Sequence, residues 1–455
     1  MALSFFWKRL LVRSGLARFH PSADRLSHGG KRFLRYYSDR VLAAPVDELT
    51  DPATFPNADG GDVLNLNRSA PPVEAFHGGR PPGYHFGAAS TNGDAALRAA
   101  IAERCGRAVN PDDEVLVTHG ATAGFAAVLD AFVNPGDRVV LFDPCSPLFA
   151  LGAKSRRAKV RWVPTWTEDG RTRFVVDGLA RTLRGAMLLA IADPTNPTGG
   201  TLSAEDYEQI AWLARRQDVL VYVDQSFDRY RYTDAPRPAL AEVVGTENRL
   251  LTAGSVTQGY GVGAARVGWV TGPKPLVNAV SLMANLSAPF VPASCQQIAL
   301  KALTAAESLF APTRELFRRK RDYTLERLRG MGLEPTTPTG GYTCWVSVAG
   351  LGLTGRAFAE KLLREHRVLV GPGAAYGPSG TDFVRISFAE EDGRLREGLT
   401  RVGMFVAGLK GEPVVTADRV AVGAPISDAA PTETTPPEAA PDAPTEERTP
   451  AFSRA

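Results

Sequence analysis

Between residues 115 and 270, short apolar runs rich in β-branched residues alternate with stretches whose apolar positions return every three or four residues. The first pattern fits strands buried on both faces, and the second fits helices packed on a sheet. Seven strands are predicted, at 115–118, 138–142, 159–163, 187–191, 219–223, 249–253 and 266–270. Their alternation with helices predicts a doubly wound α/β domain with one large, mostly parallel sheet. A helix is expected over Ala121–Phe132. Another should follow Ser203, where Ser203 and Asp206 can form a capping box ahead of Ile210 and Leu213.

Past about residue 305 the pattern changes. A long polar helix (SLFAPTRELFRRKRDYTLERLRGMG) leads into GGYTCWVSV, a helix over 356–366, the run VRISFA and a closing helix. That order predicts a second, smaller α/β domain. The expected organisation is a basic N-terminal arm (1–60), a large domain (61–305), a small domain (306–410) and a tail (411–455). The tail is rich in Pro, Ala, Thr and Glu and has too few apolar residues to offset the entropy of ordering, so disorder is expected there.

Composition narrows the partners. The chain has 455 residues, 44% hydrophobic and 22% charged, which suits a soluble protein of two or three domains. A formal charge of +3 gives no reason to expect a nucleic-acid partner. No run of roughly 18 apolar residues occurs, so stable membrane insertion is not expected. The start, MALSFFWKRLLVRSGLARFH, is basic and free of acid until Asp24; it reads as an arm packing on the body or on a neighbouring subunit, with a disordered arm, an organelle presequence or a membrane-surface helix as alternatives. The four cysteines are scattered without metal-ligand spacing, which suits a reducing compartment and a cytoplasmic location. Lysine is scarce, with nine in all, at 8, 31, 154, 159, 274, 301, 320, 361 and 410.

Several motifs carry chemistry. His119-Gly120-Ala121-Thr122 lies where a strand gives way to a helix, and backbone amides at a helix N-terminus can receive a phosphate. Asp193-Pro194-Thr195-Asn196-Pro197-Thr198-Gly199 follows the 187–191 strand, and its prolines hold Asn196 at the C-terminal sheet edge, where open α/β sheets bind ligands. Residues 219–223 end in Asp224, a carboxylate able to pair with a protonated ring nitrogen. Gly259-x-Gly261-x-x-Ala264 loosely fits a dinucleotide fingerprint, but no Asp or Glu occurs from Val267 to Ala306 to bind a ribose. No nucleophile elbow, Walker loop or metal-ligand cluster is present.

Taken together over roughly residues 60–410, these motifs resemble the class I/II aminotransferases, fold type I of the pyridoxal-phosphate (PLP) enzymes. Asn134-Pro135-Gly136-Asp137, Gly340-Gly341-Tyr342, the run from Gly371 to Gly377 and Val384-Arg385-Ile386-Ser387-Phe388 complete the resemblance. It implies that the amides of Ala121 and Thr122, with Ser255 and Arg266, hold the cofactor phosphate. Asn196 would bind the ring's phenolic oxygen, Asp224 the pyridine nitrogen, and Arg385 the carboxylate of an amino or keto acid. A homodimer is also implied, and His85, in the Gly83–Gly87 stretch, would fall near substrate.

Three positions depart from that pattern. Counting back eight from Arg266 reaches Gln258, where the family carries its catalytic lysine. An amide is neither nucleophilic nor basic at neutral pH, so Gln258 can neither hold the cofactor covalently nor shuttle its proton. The family's tyrosine falls on Phe227 and its ring-stacking aromatic on Ser146. The expectation is non-covalent binding of PLP or pyridoxamine phosphate with ordinary transamination impaired. The alternative is a non-catalytic binding or partner subunit.

Overall fold

The computed structural model describes residues 36–43, 91–105, 109–233, 248–305 and 307–411. All seven predicted strands form, with one more. They are β1 (Val115–Thr118), β2 (Arg138–Asp143), β3 (Lys159–Glu168), β4 (Arg171–Phe174), β5 (Leu188–Ala192), β6 (Leu220–Asp224), β7 (Leu250–Ser255) and β8 (Gly268–Thr271). The added strand, β4, folds back on β3 through Asp169 and Gly170, both at positive φ. That is the two-residue hairpin turn which Asp-Gly favours.

These strands make one sheet in the order β1-β8-β7-β6-β5-β2-β3-β4. β1, β7, β6, β5, β2 and β3 run in one direction, with β8 antiparallel between β1 and β7 and β4 antiparallel at the far edge. Both faces are buried, which is why the central strands read as unbroken apolar runs. One face, with Leu141, Ala190, Tyr222 and Leu251, packs on helices Ala121–Phe132, Pro147–Ser155 and Lys274–Ser287. The other, with Val140, Leu189, Ile191 and Val221, packs on Val176–Leu183 and Ala204–Gln217. The Ser203–Asp206 capping box forms with both of its bonds.

A second sheet, β9 (Glu334–Pro335), β10 (Thr343–Ser347), β11 (Gly371–Pro372) and β12 (Phe383–Ser387), runs β11-β12-β10-β9, antiparallel throughout. Helices Glu307–Gly330, Gly355–His366 and Asp392–Lys410 cover it around Leu328, Val346, Phe358, Val384 and Phe405. This is the architecture of a fold type I PLP-dependent transferase.

Of the N-terminal arm, only 36–43 is described. It lies on the body, with Tyr37 donating to the Pro275 carbonyl at 2.9 Å and Tyr36 to Asp218 at 2.7 Å. The remainder of the arm, the Gly83–Gly87 stretch with His85, and the tail beyond Gly411 lie outside the described residues. No helix among the described residues is long and apolar enough to cross a membrane.

Candidate cofactor and carboxylate site

The parallel strands β1, β2, β5, β6 and β7 all end on one edge of the large sheet, and the small sheet closes over that edge. Thr343 Oγ1 donates to the Pro197 carbonyl at 2.9 Å, and Thr336 Oγ1 to that of Thr198 at 3.1 Å. Ala121, Asn196, Asp224 and Ser255 lie at or just beyond the ends of these strands, and Arg385 meets Asn196 from the small sheet.

At one end stands the N-terminus of helix Ala121–Phe132, capped by Gly120 at φ 85°. A Cβ at Gly120 would lie 3.5 Å from Arg266 Nη2, so the guanidinium sits beside the free amides of the first turn. Gly268 makes this approach feasible, since a Cβ there would come within 2.5 Å of the Ala121 nitrogen. Arg266 is exposed, adopts a left-handed backbone (φ 52°) and has no carboxylate partner among the described residues. Helix-end amides beside an uncommitted guanidinium form an anion cradle. Ser255 is buried close by; its Oγ accepts from Thr257 N at 3.1 Å, capping helix Val256–Tyr260, and reaches the Val267 carbonyl at 3.4 Å. The hydroxyl is therefore already used locally.

Asp224 ends β6. Ser226 donates to its Oδ1 twice, from Oγ at 2.5 Å and from the backbone at 2.9 Å. Burial pushes its pKa up, and the Ser226 bonds only partly oppose this. No cation pairs with it among the described residues, so a protonated ring nitrogen would supply the missing positive charge.

At the other end Arg385, on β12, donates from Nη1 to Asn196 Oδ1 at 3.1 Å. Its guanidinium lies over the Tyr376 ring, 5.2 Å from the centroid. Its Nε is buried without a hydrogen-bond partner among the described residues. An arginine with a donor unspent in a cleft suits a carboxylate. The turn bearing Asn196 is held by Asp193, which accepts from Arg231 at 2.7 Å, Tyr207 at 2.8 Å and the Leu202 amide. That ion pair gave no sequence signal, because its partners are 38 positions apart.

Gln258 sits in the short helix after β7, half-buried, and its amide makes no hydrogen bond to a described residue. Phe227 packs edge-on against Tyr342, with centroids 5.0 Å apart. Ser146 N-caps the helix after β2 without a side-chain bond. Neither Lys274 nor Lys154 reaches this edge. Lys274 pairs with Asp113 at 2.9 Å, beyond the start of β1, on the opposite edge. Lys154 is exposed at the end of its helix, and the neighbouring Arg157 carbonyl bonds Gly136 ahead of β2, again on that far side.

Residues 86–402 match the family model for aminotransferase class I and II. The chain belongs to that family. It is 31% identical over 329 residues to the arginine–pyruvate transaminase of Pseudomonas aeruginosa, covering 71% of this chain and 83% of that one. It is 30% identical to an aspartate aminotransferase of Pyrococcus abyssi, covering 67% and 80%. Among solved structures, an aromatic aminotransferase from Pyrococcus horikoshii superposes with a TM-score of 0.68 at 30% identity, covering 72% and 88%.

Proposed function

We propose that this aminotransferase-like protein binds PLP or pyridoxamine phosphate non-covalently, together with a small amino or keto acid, and is impaired in ordinary transamination. Gln258 stands at the lysine position of the family pattern. The observation that carries the reading is a contrast. Helix-end amides beside Arg266, an Asp224 carboxylate with no described cation partner and Arg385 with an unspent Nε support binding of an anionic cofactor and an acid. Lys274 and Lys154, by contrast, lie towards the opposite sheet edge. When bound, the cofactor supplies an electron-accepting ring conjugated to its reactive group.

The chain's own residues then have separable tasks. The Ala121 and Thr122 amides and Arg266 bind the phosphate, with Ser255 shaping the turn beside it. Asp224 holds a proton on the ring nitrogen. Asn196 meets the phenolic oxygen, and Phe227 offers that oxygen no hydroxyl. Ser146 leaves the ring face unstacked. Arg385 orients the acid. Gln258 can donate or accept a hydrogen bond but cannot take the proton that the lysine would move, a loss on the order of 10²–10⁴ in rate. A homodimer is part of the same reading.

The test is a near-ultraviolet and visible titration with PLP and pyridoxamine phosphate on the natural protein and on Gln258→Lys. Binding by both, with a covalent absorbance band and transamination only in Gln258→Lys, is the expected result. If neither cofactor binds either protein, the reading is wrong, and a non-catalytic binding or partner subunit takes its place.

A further inference from the structure

Arg385 is steadied from two directions. Asn196 holds Nη1, and the face of the guanidinium lies on the Tyr376 ring. That ring is itself wedged: it meets Trp345 edge-on at 5.4 Å, and a Cβ at Gly371 would come within 2.9 Å of its hydroxyl. The backbone around Tyr376 is fastened across the cleft to the end of β2. Its carbonyl accepts from Cys145 N at 2.8 Å. Three residues on, Ser379 donates from Oγ to Asp143 Oδ1 at 2.8 Å and from its amide to Oδ2 at 3.1 Å. Gly377, at φ 145°, passes so close that a Cβ there would lie 2.2 Å from Asp143 Oδ1. Asp143 is buried, 4% exposed, and Ser379 is its hydrogen-bonding partner in the turn. Burial pushes its pKa up, and the Ser379 bonds oppose that rise. A buried carboxylate is costly unless hydrogen bonds compensate it, and here those bonds come from Ser379.

We propose that Asp143 is a positioning residue for the carboxylate clamp: it anchors the 377–379 turn, and the turn keeps the Tyr376 ring on the Arg385 guanidinium. The inference rests on the proposed function in one respect, that Arg385 binds the carboxylate of an amino or keto acid. Asp143 itself touches neither that acid nor the cofactor. Its effect passes through Tyr376, so it should show in the affinity for the acid and not in cofactor uptake.

The test is a double-mutant cycle with Asp143→Asn and Tyr376→Leu. Calorimetry measures pyruvate and 2-oxoglutarate binding to protein loaded with pyridoxamine phosphate, whose own uptake is followed by absorbance. Each single variant should bind the acids about tenfold more weakly, the size of a desolvated cation–ring contact. The double variant should be no weaker than the weaker single one, because the two changes break one linkage. Uptake of pyridoxamine phosphate should not change. Ser379→Ala, which keeps the backbone bond, should give a smaller loss and serves if Asp143→Asn does not fold. Wild-type affinity in Asp143→Asn or, failing that, in Ser379→Ala overturns the inference. So do losses that multiply in the double variant, since a general loosening would act on both backgrounds. Natural protein that takes up pyridoxamine phosphate and binds neither acid overturns the inference together with the substrate half of the proposed function, and leaves the cofactor half standing.

Discussion

The two ends of the cleft are built by different means. At the phosphate end, Gly120, the first amides of helix Ala121–Phe132 and an exposed arginine make a cradle that is mostly backbone. At the carboxylate end, Arg385 rests on side chains in turns that other side chains fasten: Asn196, in the turn held by Asp193, and Tyr376, beside the turn that Ser379 ties to Asp143. A backbone cradle tolerates drift in its neighbours, because its donors are peptide groups. A side-chain cradle fails when any member is lost. On the proposed reading, the family's lysine, tyrosine and ring-stacking positions fall on Gln258, Phe227 and Ser146, so the groups for covalent chemistry, oxygen binding and ring stacking are the ones replaced.

The contrast is broken most severely by attacking the support of the carboxylate end. Arg231→Leu would leave Asp193, only 1% exposed, without its cation. Removing one partner of a buried pair costs about 3–5 kcal/mol, and chemical denaturation should show a loss of that size. Acid binding should fall with it, since the Asn196 turn hangs from Asp193. A stability loss below about 1 kcal/mol would mean that the turn is held by its backbone alone, and that the two ends are more alike than their contacts suggest.

Next in size is Arg266→Leu, which removes the one long side chain of the phosphate end. Charge-assisted bonds to an anion contribute about 1.5–3 kcal/mol each. Pyridoxamine phosphate should therefore bind roughly 10- to 100-fold more weakly by absorbance titration. Thermal stability should be kept, since no described residue pairs with this arginine. Affinity unchanged by the substitution would place the phosphate elsewhere.

Both ends differ in how far the sequence announced them. At the helix-end cradle the glycine at the strand–helix junction is a local signal, whereas Ser255 and Arg266 were read only through the family resemblance. Arg385 and Asn196 were readable one by one, through family motifs. Their mutual bond, the Asp193–Arg231 pair and the Asp143–Ser379 anchor join residues tens to hundreds of positions apart, and no spacing rule reports such contacts. The strands were legible because burial on both faces leaves unbroken apolar runs. β4 has a strong hairpin signal in Asp169-Gly170 but no apolar run, because Arg171 and Arg173 lie on an edge strand whose side chains reach solvent.

A smaller effect separates structure from ligand binding at the turn between the ends. Ser255 caps helix Val256–Tyr260. Ser255→Ala should cost about 1 kcal/mol of stability, the ordinary value of an N-cap. If the serine serves only as a cap, pyridoxamine phosphate affinity should stay near that of the natural protein once folding is complete. A tenfold loss of affinity would assign its hydroxyl to the phosphate as well.

The smallest expected change is a gain. Asp224 has its pKa raised by burial, with Ser226 only partly compensating. For an acid whose folded pKa lies above its unfolded value, the favourable contribution is complete below the unfolded pKa, roughly 4. It is lost as pH rises through the raised folded value. At neutral pH the ionised group therefore opposes folding in the ligand-free protein. Asp224→Asn keeps an oxygen to accept from Ser226 and removes that charge, so its melting temperature at pH 7 should lie slightly above that of the natural protein. The difference should shrink as pH falls through the raised folded value and vanish below about 4, where the aspartate is neutral in both the folded and the unfolded chain. The same substitution should weaken pyridoxamine phosphate binding, because the ring nitrogen loses its counter-charge. A carboxylate that costs stability when empty and contributes affinity when filled is a binding group kept for its ligand. Asp224→Asn that melts lower at pH 7 would show instead that Asp224 is structural, and that the middle of the cleft has drifted further than Gln258 alone implies.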